Sequence, residues 1–290
     1  MAADYYSDRT RGPQPRRNGE ITEAVWGGVV ALVERGIARA SFGHDFPLEC
    51  EDGQAICGCD YRAFGLALAA EIPDLDWPFS ERVIPPTLAV LDLLEFVYRH
   101  ASAPRERDYH SFYRHSHFTF DVDKGRDEMW EQINRLLARG GMAYELDEYG
   151  KIERLASPAV EAQLARELPP TRDQEFDDLL ETATAKYRSP EIAVRREALE
   201  KLWDAYERSK TILESKKKDG VKALIRALTD GADPEEVKLV EAEMHELTEV
   251  GNSFRIRHHE TGVAALSDAL VDQLFARMYA LLYRVNAVLR

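Results

Sequence analysis

The chain has 290 residues, 44% apolar and 31% charged, with a formal net charge of −14 at pH 7. That length predicts two domains, and that composition a globular protein with a real core. The acidity excludes broad nucleic-acid binding through a basic surface but leaves room for a local cationic site.

The first 20 residues, with Gly12, Pro13 and Pro15, are expected to form a loose arm. Residues 20–40 carry Ile21, Val25, Val29, Leu32, Val33 and Ile37 at helical spacing. A turn at Asp52-Gly53 predicts a small hairpin or irregular element within 43–60, followed by a helix over Tyr61 to Ile72. Pro85-Pro86 opens a helix through Leu88, Leu91, Leu94, Val97 and Tyr98, as proline suits a first turn. Residues 103–121 are aromatic and His-rich without helical period; 126–139 return to helix. Met142 to Leu155 alternates around Glu148-Tyr149-Gly150 and predicts a hairpin.

Pro169-Pro170 cannot continue a helix and marks the expected boundary between an N-terminal domain, 1–168, and a C-terminal one, 172–290. Beyond it helices are predicted over 173–187, 190–214, 219–229, 233–250 and 266–289. Two of them open on Ser189-Pro190-Glu191 and Asp233-Pro234-Glu235-Glu236, each a capping side chain, a proline and early carboxylates. The last carries an apolar stripe, Leu270, Leu274, Phe275, Met278, Leu281, Leu282, Val285 and Leu289, wide enough for a core and a dimer face. The expected fold class is mainly α: an N-terminal helical domain with small β-hairpins, then a helical bundle.

Three cysteines are too few for a disulfide framework. With no signal peptide and no apolar run of membrane-spanning length, they point to a cytoplasmic protein without membrane contact. No Walker loop, dinucleotide fingerprint, HExxH or nucleophile elbow is present, which argues against an ATPase, a dehydrogenase, a zincin or an α/β-hydrolase.

The densest chemistry is Asn252-Ser253-Phe254-Arg255-Ile256-Arg257-His258-His259-Glu260. Arg is a permanently charged fork for phosphate, and His moves protons near neutral pH. Together they supply the anchor, proton shuttle and charge stabiliser of metal-free phosphodiester cleavage. Gly251 is expected to break or bend the chain after a helix that ends near Val250. Were the run helical, His258 and His259 would point about 100° apart, poorly placed to grip one metal. A plain Arg257–Glu260 salt bridge with exposed imidazoles is the alternative.

Leu202 to Thr211 places Asp204, Glu207, Arg208 and Thr211 on one helical face and Leu199, Trp203, Tyr206 and Lys210 on another. Asp204, Glu207 and Arg208 are candidates to orient the Arg/His run, or else form a surface charge network. Lys210, Lys216, Lys217 and Lys218, with Lys222 and Arg226, are the densest cationic stretch and the candidate RNA contacts, or a solvated helix end.

Two further groups contain metal-ligand residue types. If 108–121 is extended, His115 and His117 face one side and could share a metal with Asp121 or His110. Cys50, Cys57 and Cys59, with His44, form a weak zinc pattern. No carboxylate stands at a diagnostic spacing, so hydrogen-bonded histidines and buried thiols are the favoured reading. No metal and no cofactor is expected. A metal-dependent hydrolase built on His110, His115 and His117 is a minor alternative.

Residues from about 175 to 290 resemble the HEPN class of helical domains, on "ALEKLWDAYERSKT", then "ELTEVGNSFRIRHHE", then a closing amphipathic helix. The N-terminal half resembles abortive-infection proteins of the AbiJ type, on "YSDR", "CEDGQAICGCD", "WP", "DLLEFVY", "HSFYRHSHFTFD" and "NRLLARGGMAYELDEYGKIERL". The resemblance implies an antiviral effector: a domain that senses a phage-derived or cellular trigger, joined to a metal-independent endoribonuclease acting as a homodimer on RNA. It implies attack of the ribose 2′-hydroxyl on the adjacent phosphate, with Arg257 and His258 as first candidates and Asn252, Arg255, His259 and Glu260 in support. The sequence departs from the HEPN spacing, since Arg255 and His259 are separated by only three residues and no His follows Arg257-His258 at the expected distance. A non-catalytic RNA- or protein-binding module is the alternative.

Overall fold

The computed structural model describes residues 5–53, 55–156, 158–166, 168–254, 256 and 266–290. The fold is mainly α with small β elements, in two compact units, Met1–Leu155 and Ala156–Arg290.

The first unit contains α1 (Tyr6–Arg11), α2 (Glu23–Ala38), β1 (Pro47–Glu49), β2 (Ile56–Cys59), α3 (Tyr61–Glu71), α4 (Thr87–Arg99), β3 (Ala103–His110), β4 (His115–Asp121), α5 (Val122–Arg139), β5 (Tyr144–Leu146) and β6 (Ile152–Arg154). Its core joins Trp26, Val29 and Val33 of α2 to Leu93, Leu94 and Val97 of α4 and Ile133 and Leu137 of α5. Phe64 of α3 is fully buried, with ring centroids 5.1–5.5 Å from Phe42, Phe46, Trp77 and Phe96. The carboxylates of Asp60 and Asp121 accept backbone N–H groups at the starts of α3 and α5, satisfying donors that a helix leaves unpaired.

The hairpin expected within 43–60 is β1–β2, and the His-rich stretch is the hairpin β3–β4. They form one antiparallel sheet in the order β1-β2-β4-β3. Arg107 is an extra residue in β3: the register runs Glu106 to Phe118, then Asp108 to His117 and His110 to His115. Such a bulge shifts pairing by one residue and so exchanges the faces of all that follows. Asp108 and His110 therefore lie on the same face as His115 and His117.

The N-terminal arm is pinned rather than loose. Arg16 donates to the carbonyls of Met142 and Tyr144 and to Glu145, Asn18 bridges to Met142, and Arg139 pairs with Asp8 at 2.5 Å. The α5–β5 connection offers carbonyls that no strand partner takes, and the arm's arginine and backbone satisfy them.

The second unit contains α6 (Pro158–Leu164), α7 (Gln174–Tyr187), α8 (Ile192–Ile212), α9 (Lys217–Leu228), α10 (Pro234–Ser253) and α11 (Asp268–Leu289). Leu199, Leu202, Trp203, Ala205 and Tyr206 of α8 are buried against the apolar stripe of α11 and against Met244 and Leu247 of α10. Leu274 to Leu289 of that stripe face this core. The division falls before the Pro169-Pro170 boundary read from sequence, because α6, which the sequence did not predict, sends Val160 into the second core. Asn286 of α11 also donates to the Pro169 carbonyl at 3.1 Å, tying the diproline segment to the bundle.

Gly125 lies in the first turn of α5, where an added Cβ would stand 2.2 Å from the Cα and carbonyl carbon of Ser102. Gly125→Ala is expected to lower stability by about 1–3 kcal/mol, since backbone cannot step aside. Gly27→Ala in α2, where a Cβ meets nothing within 4 Å, should be neutral or stabilising by up to about 1 kcal/mol. Urea denaturation of the full chain measures both.

Candidate functional site

Of the Arg/His run, Asn252, Ser253, Phe254 and Ile256 are described; Arg255, Arg257, His258, His259 and Glu260 lie outside the described residues. Asn252 is exposed in the last turn of α10, and Ile256 is buried in the second core. Gly251 does not break the helix, which continues to Ser253. It is instead a point of close approach: a Cβ there would stand 2.3 Å from the Trp203 indole nitrogen. That nitrogen donates to the Leu247 carbonyl at 3.1 Å.

Leu266 and Asp268, the described residues that follow the run, are also held by α8. Buried Arg195 donates to Asp268 at 2.8 Å and to the Ser189 and Pro190 carbonyls, and Arg196 donates to the Leu266 carbonyl at 2.5 Å. Ser267 caps α11. Gly251 and Leu266, the described residues on either side, thus meet α8 at Trp203 and at Arg196, about two helical turns apart, roughly 11 Å at 1.5 Å per residue.

Two faces of α8 emerge as the sequence predicted. Leu199, Trp203, Tyr206 and Lys210 point inward, while Asp204, Glu207 and Arg208 are half-buried. The Tyr206 hydroxyl donates to the Met244 carbonyl at 2.6 Å, and burial pushes its pKa up to about 12. Lys210 requires a correction. Read from sequence as an RNA contact, it is buried, its Nζ 2.7 Å from Glu207 Oε1, 3.2 Å from Thr248 Oγ1 and 3.8 Å above the Tyr206 ring centroid. Its i, i+3 spacing to Glu207 supplies the counter-charge that a buried ammonium needs. Lys217 closes the other oxygen of Glu207 at 2.6 Å. Lys216, Lys217 and Lys218 are exposed at the start of α9.

Arg208 donates through Nε and Nη2 to the two oxygens of Asp173, at 3.1 and 2.6 Å, and also pairs with Glu175. Asp173 is the cap of α7, and the Arg208 hydrogen bond holds its carboxyl below the usual range. Asp204 stands 3.8 Å from Lys201. Glu207 and Arg208, the supporting residues named from sequence, are thus held in ion pairs that join α8 to α7 and α9.

The structure merges two groups that the sequence keeps apart. Cys50, in the β1–β2 turn, meets His115 and His117 of β4, with Sγ and one ring nitrogen of each within 4.8 Å of one another. Cys50, Asp52 and His110 form a second such group. Asp108 Oδ1 holds Nδ1 of His117 at 2.8 Å; His110 Nε2 lies 3.1 Å from Asp52, and its Nδ1 accepts the Tyr113 N–H at 3.3 Å. Asp121, proposed as a co-ligand, caps α5 and pairs with Arg105 instead. Of the other cysteines, Cys57 Sγ faces the Leu48 carbonyl at 3.4 Å and Cys59 is buried in the core, its thiol pushed to about 12 by burial. His44 pairs with Asp45.

One feature escaped sequence reading. A groove of about 800 Å³ between α2 and α5 is lined by Arg35, Arg39, Arg135 and Arg139 beside Glu128 and Glu131. The available signal was a pair of Arg-x3-Arg spacings on two helices, which puts each pair on one face.

Glu207 is the keystone of the α8 charge network. Burial raises its pKa, but hydrogen bonds from Lys210 and Lys217 outweigh that and hold it below its ordinary value. The stability it contributes is therefore present above the ordinary glutamate pKa, about 4.3, and is lost as the pH falls towards the depressed value. Glu207→Ala strands the buried Lys210 and should cost roughly 2–3 kcal/mol at neutral pH, whereas Lys217→Ala, at an exposed position, should cost under about 1 kcal/mol. Glu207→Gln should flatten the acid limb of stability. Denaturant titrations from neutral pH into acid test all three.

Against protein-family models, residues 4–168 match AbiJ N-terminal domain 4. No curated protein and no solved structure matches the chain. The matched region holds both β-sheets, the Cys50/His115/His117 group and the arginine-lined groove. An AbiJ domain suggests an abortive-infection, antiphage role, and among the described residues no helix is long and apolar enough to cross a membrane. Matched over more than half of its length, the chain belongs to the AbiJ N-terminal domain 4 family.

Proposed function

We propose that the chain is an abortive-infection effector whose AbiJ domain senses a phage-derived or cellular trigger. In this reading the C-terminal helical unit is a HEPN-like, metal-independent endoribonuclease that works as a homodimer. Arg257 and Arg255 hold the scissile phosphate. His258 or His259 takes the proton of the ribose 2′-hydroxyl as that oxygen attacks phosphorus, and the P–O5′ bond breaks as the leaving oxygen is protonated. Glu260 and Asn252 orient these groups.

The observation that supports this reading is that the described residues on both sides of the Arg/His run are held to α8, Leu247 by Trp203 before it and Leu266 and Asp268 by Arg196 and Arg195 after it. Flanks held by one helix suit preorganised chemistry between them. The alternative, a non-catalytic module in which the run grips RNA or seals a dimer interface, is favoured by Glu207 and Arg208 being held in ion pairs within the bundle.

Cleavage of structured RNA by the full chain, with EDTA present, decides between them. The expected result is cleavage by the wild type and a loss of about 10²–10⁴-fold in rate for His258→Ala and Arg257→Ala. Undiminished cleavage in both variants removes the proposed site. RNA binding without cleavage of any substrate establishes the binding module instead.

A further inference from the structure

We propose that Cys50, His115 and His117 form a zinc site that fastens the β1–β2 turn to the β3–β4 hairpin. A thiolate and imidazoles are the donors that zinc prefers, whereas calcium and magnesium require oxygen. At zinc bond lengths of about 2.0–2.3 Å, tetrahedral ligand atoms lie on the order of 3.3–3.7 Å apart. The three atoms already lie within 4.8 Å, so small side-chain rotations close the set.

Three observations point to a ligand here rather than to a chance cluster. First, Nε2 of His115 and Nε2 of His117 are buried and have no hydrogen-bond partner among the described residues. A buried nitrogen left unpaired is destabilising, and two beside one buried thiol call for a common occupant. Second, Asp108 holds Nδ1 of His117. A carboxylate on the far nitrogen is the usual support of a metal-bound histidine, because it fixes the tautomer that leaves Nε2 free to coordinate. Third, the Tyr113 N–H donates to Nδ1 of His110, which puts that ring's proton on Nε2, facing Asp52. His110 thereby orients a carboxylate that lies within 4.8 Å of the Cys50 thiol in the second group, the nearest oxygen donor for the fourth position once the turn closes on the ion.

The site is structural. Cys50 is 3% and His117 5% exposed, His115 is half-buried, and a full set of protein donors leaves no open position for a substrate. The need for a cross-link is visible in the sheet: β1 and β2 are three and four residues long, and β2 meets β4 at a single pair, Ile56 to Phe118. Strands that short are marginal without further support. The proposal is independent of the ribonuclease reading, since it concerns a different unit and is read by metal content without RNA.

The test is elemental analysis of the full chain purified without chelator, followed by titration with Zn²⁺ and Co²⁺. About one zinc per chain is expected, with loss of folded structure when it is chelated. Cobalt should give a thiolate-to-metal charge-transfer band that is absent in Cys50→Ser. His117→Ala and His115→Leu should lose the metal, while His115→Cys, which restores a zinc ligand, should retain it. Asp108→Asn should fold and bind about 10–100-fold more weakly. The proposal is overturned by a chain that carries no metal and takes up neither ion. It is equally overturned by zinc content that is unchanged in both Cys50→Ser and His117→Ala.

Discussion

Trp203 donates its indole N–H to the Leu247 carbonyl while its ring fills the space that a side chain at Gly251 would take. This contact sets how closely α10 approaches α8. A large aromatic buries much apolar area but carries one polar group, and that group must find a partner when buried. The Leu247 carbonyl meets that need, and Tyr206 repeats the arrangement one turn on, with Met244. The same helix holds the residues that follow the Arg/His run, Leu266 through Arg196 and Asp268 through Arg195.

The same helix shows how structural and functional readings of charged residues compete. A lysine after a run of acidic and aromatic residues reads as a surface cation, and Lys216 to Lys218 are that. Lys210 is not, because its helical phase coincides with Leu199, Trp203 and Tyr206, and the bundle buries that phase. Glu207 makes the burial tolerable. Charges held in this way fix the geometry of α7, α8 and α9.

In the AbiJ domain, one bulge has comparable consequences. In a regular register, with no bulge at Arg107, Tyr109 and Arg107 would stand opposite His115 and His117. With it, Asp108 and His110 do, and Asp108 becomes the support of His117. The β1–β2 turn then brings Cys50 to the same place.

The helices were legible in the sequence because amphipathic period, prolines and capping side chains are local signals: α2, α4, α8, α10 and α11 stand close to their predicted places, and turn residues signalled the β1–β2 and β5–β6 hairpins but not β3–β4. The inward and outward faces of α8 were legible for the same reason. Three things were not. The role of Gly251 depends on an indole from another helix, which reading glycine locally as a break or bend does not reveal. The allegiance of α6 depends on where Val160 is buried, which no spacing around Pro169-Pro170 reveals. The Cys50 and His115/His117 patterns are each too weak to signal a site, because their ligands are far apart in the chain. By itself the sequence determined the elements, the fold class and the residue types available for chemistry. Only the tertiary structure decided which charges are buried and which side chains share a site, because burial and convergence arise from packing between segments that have no local relation.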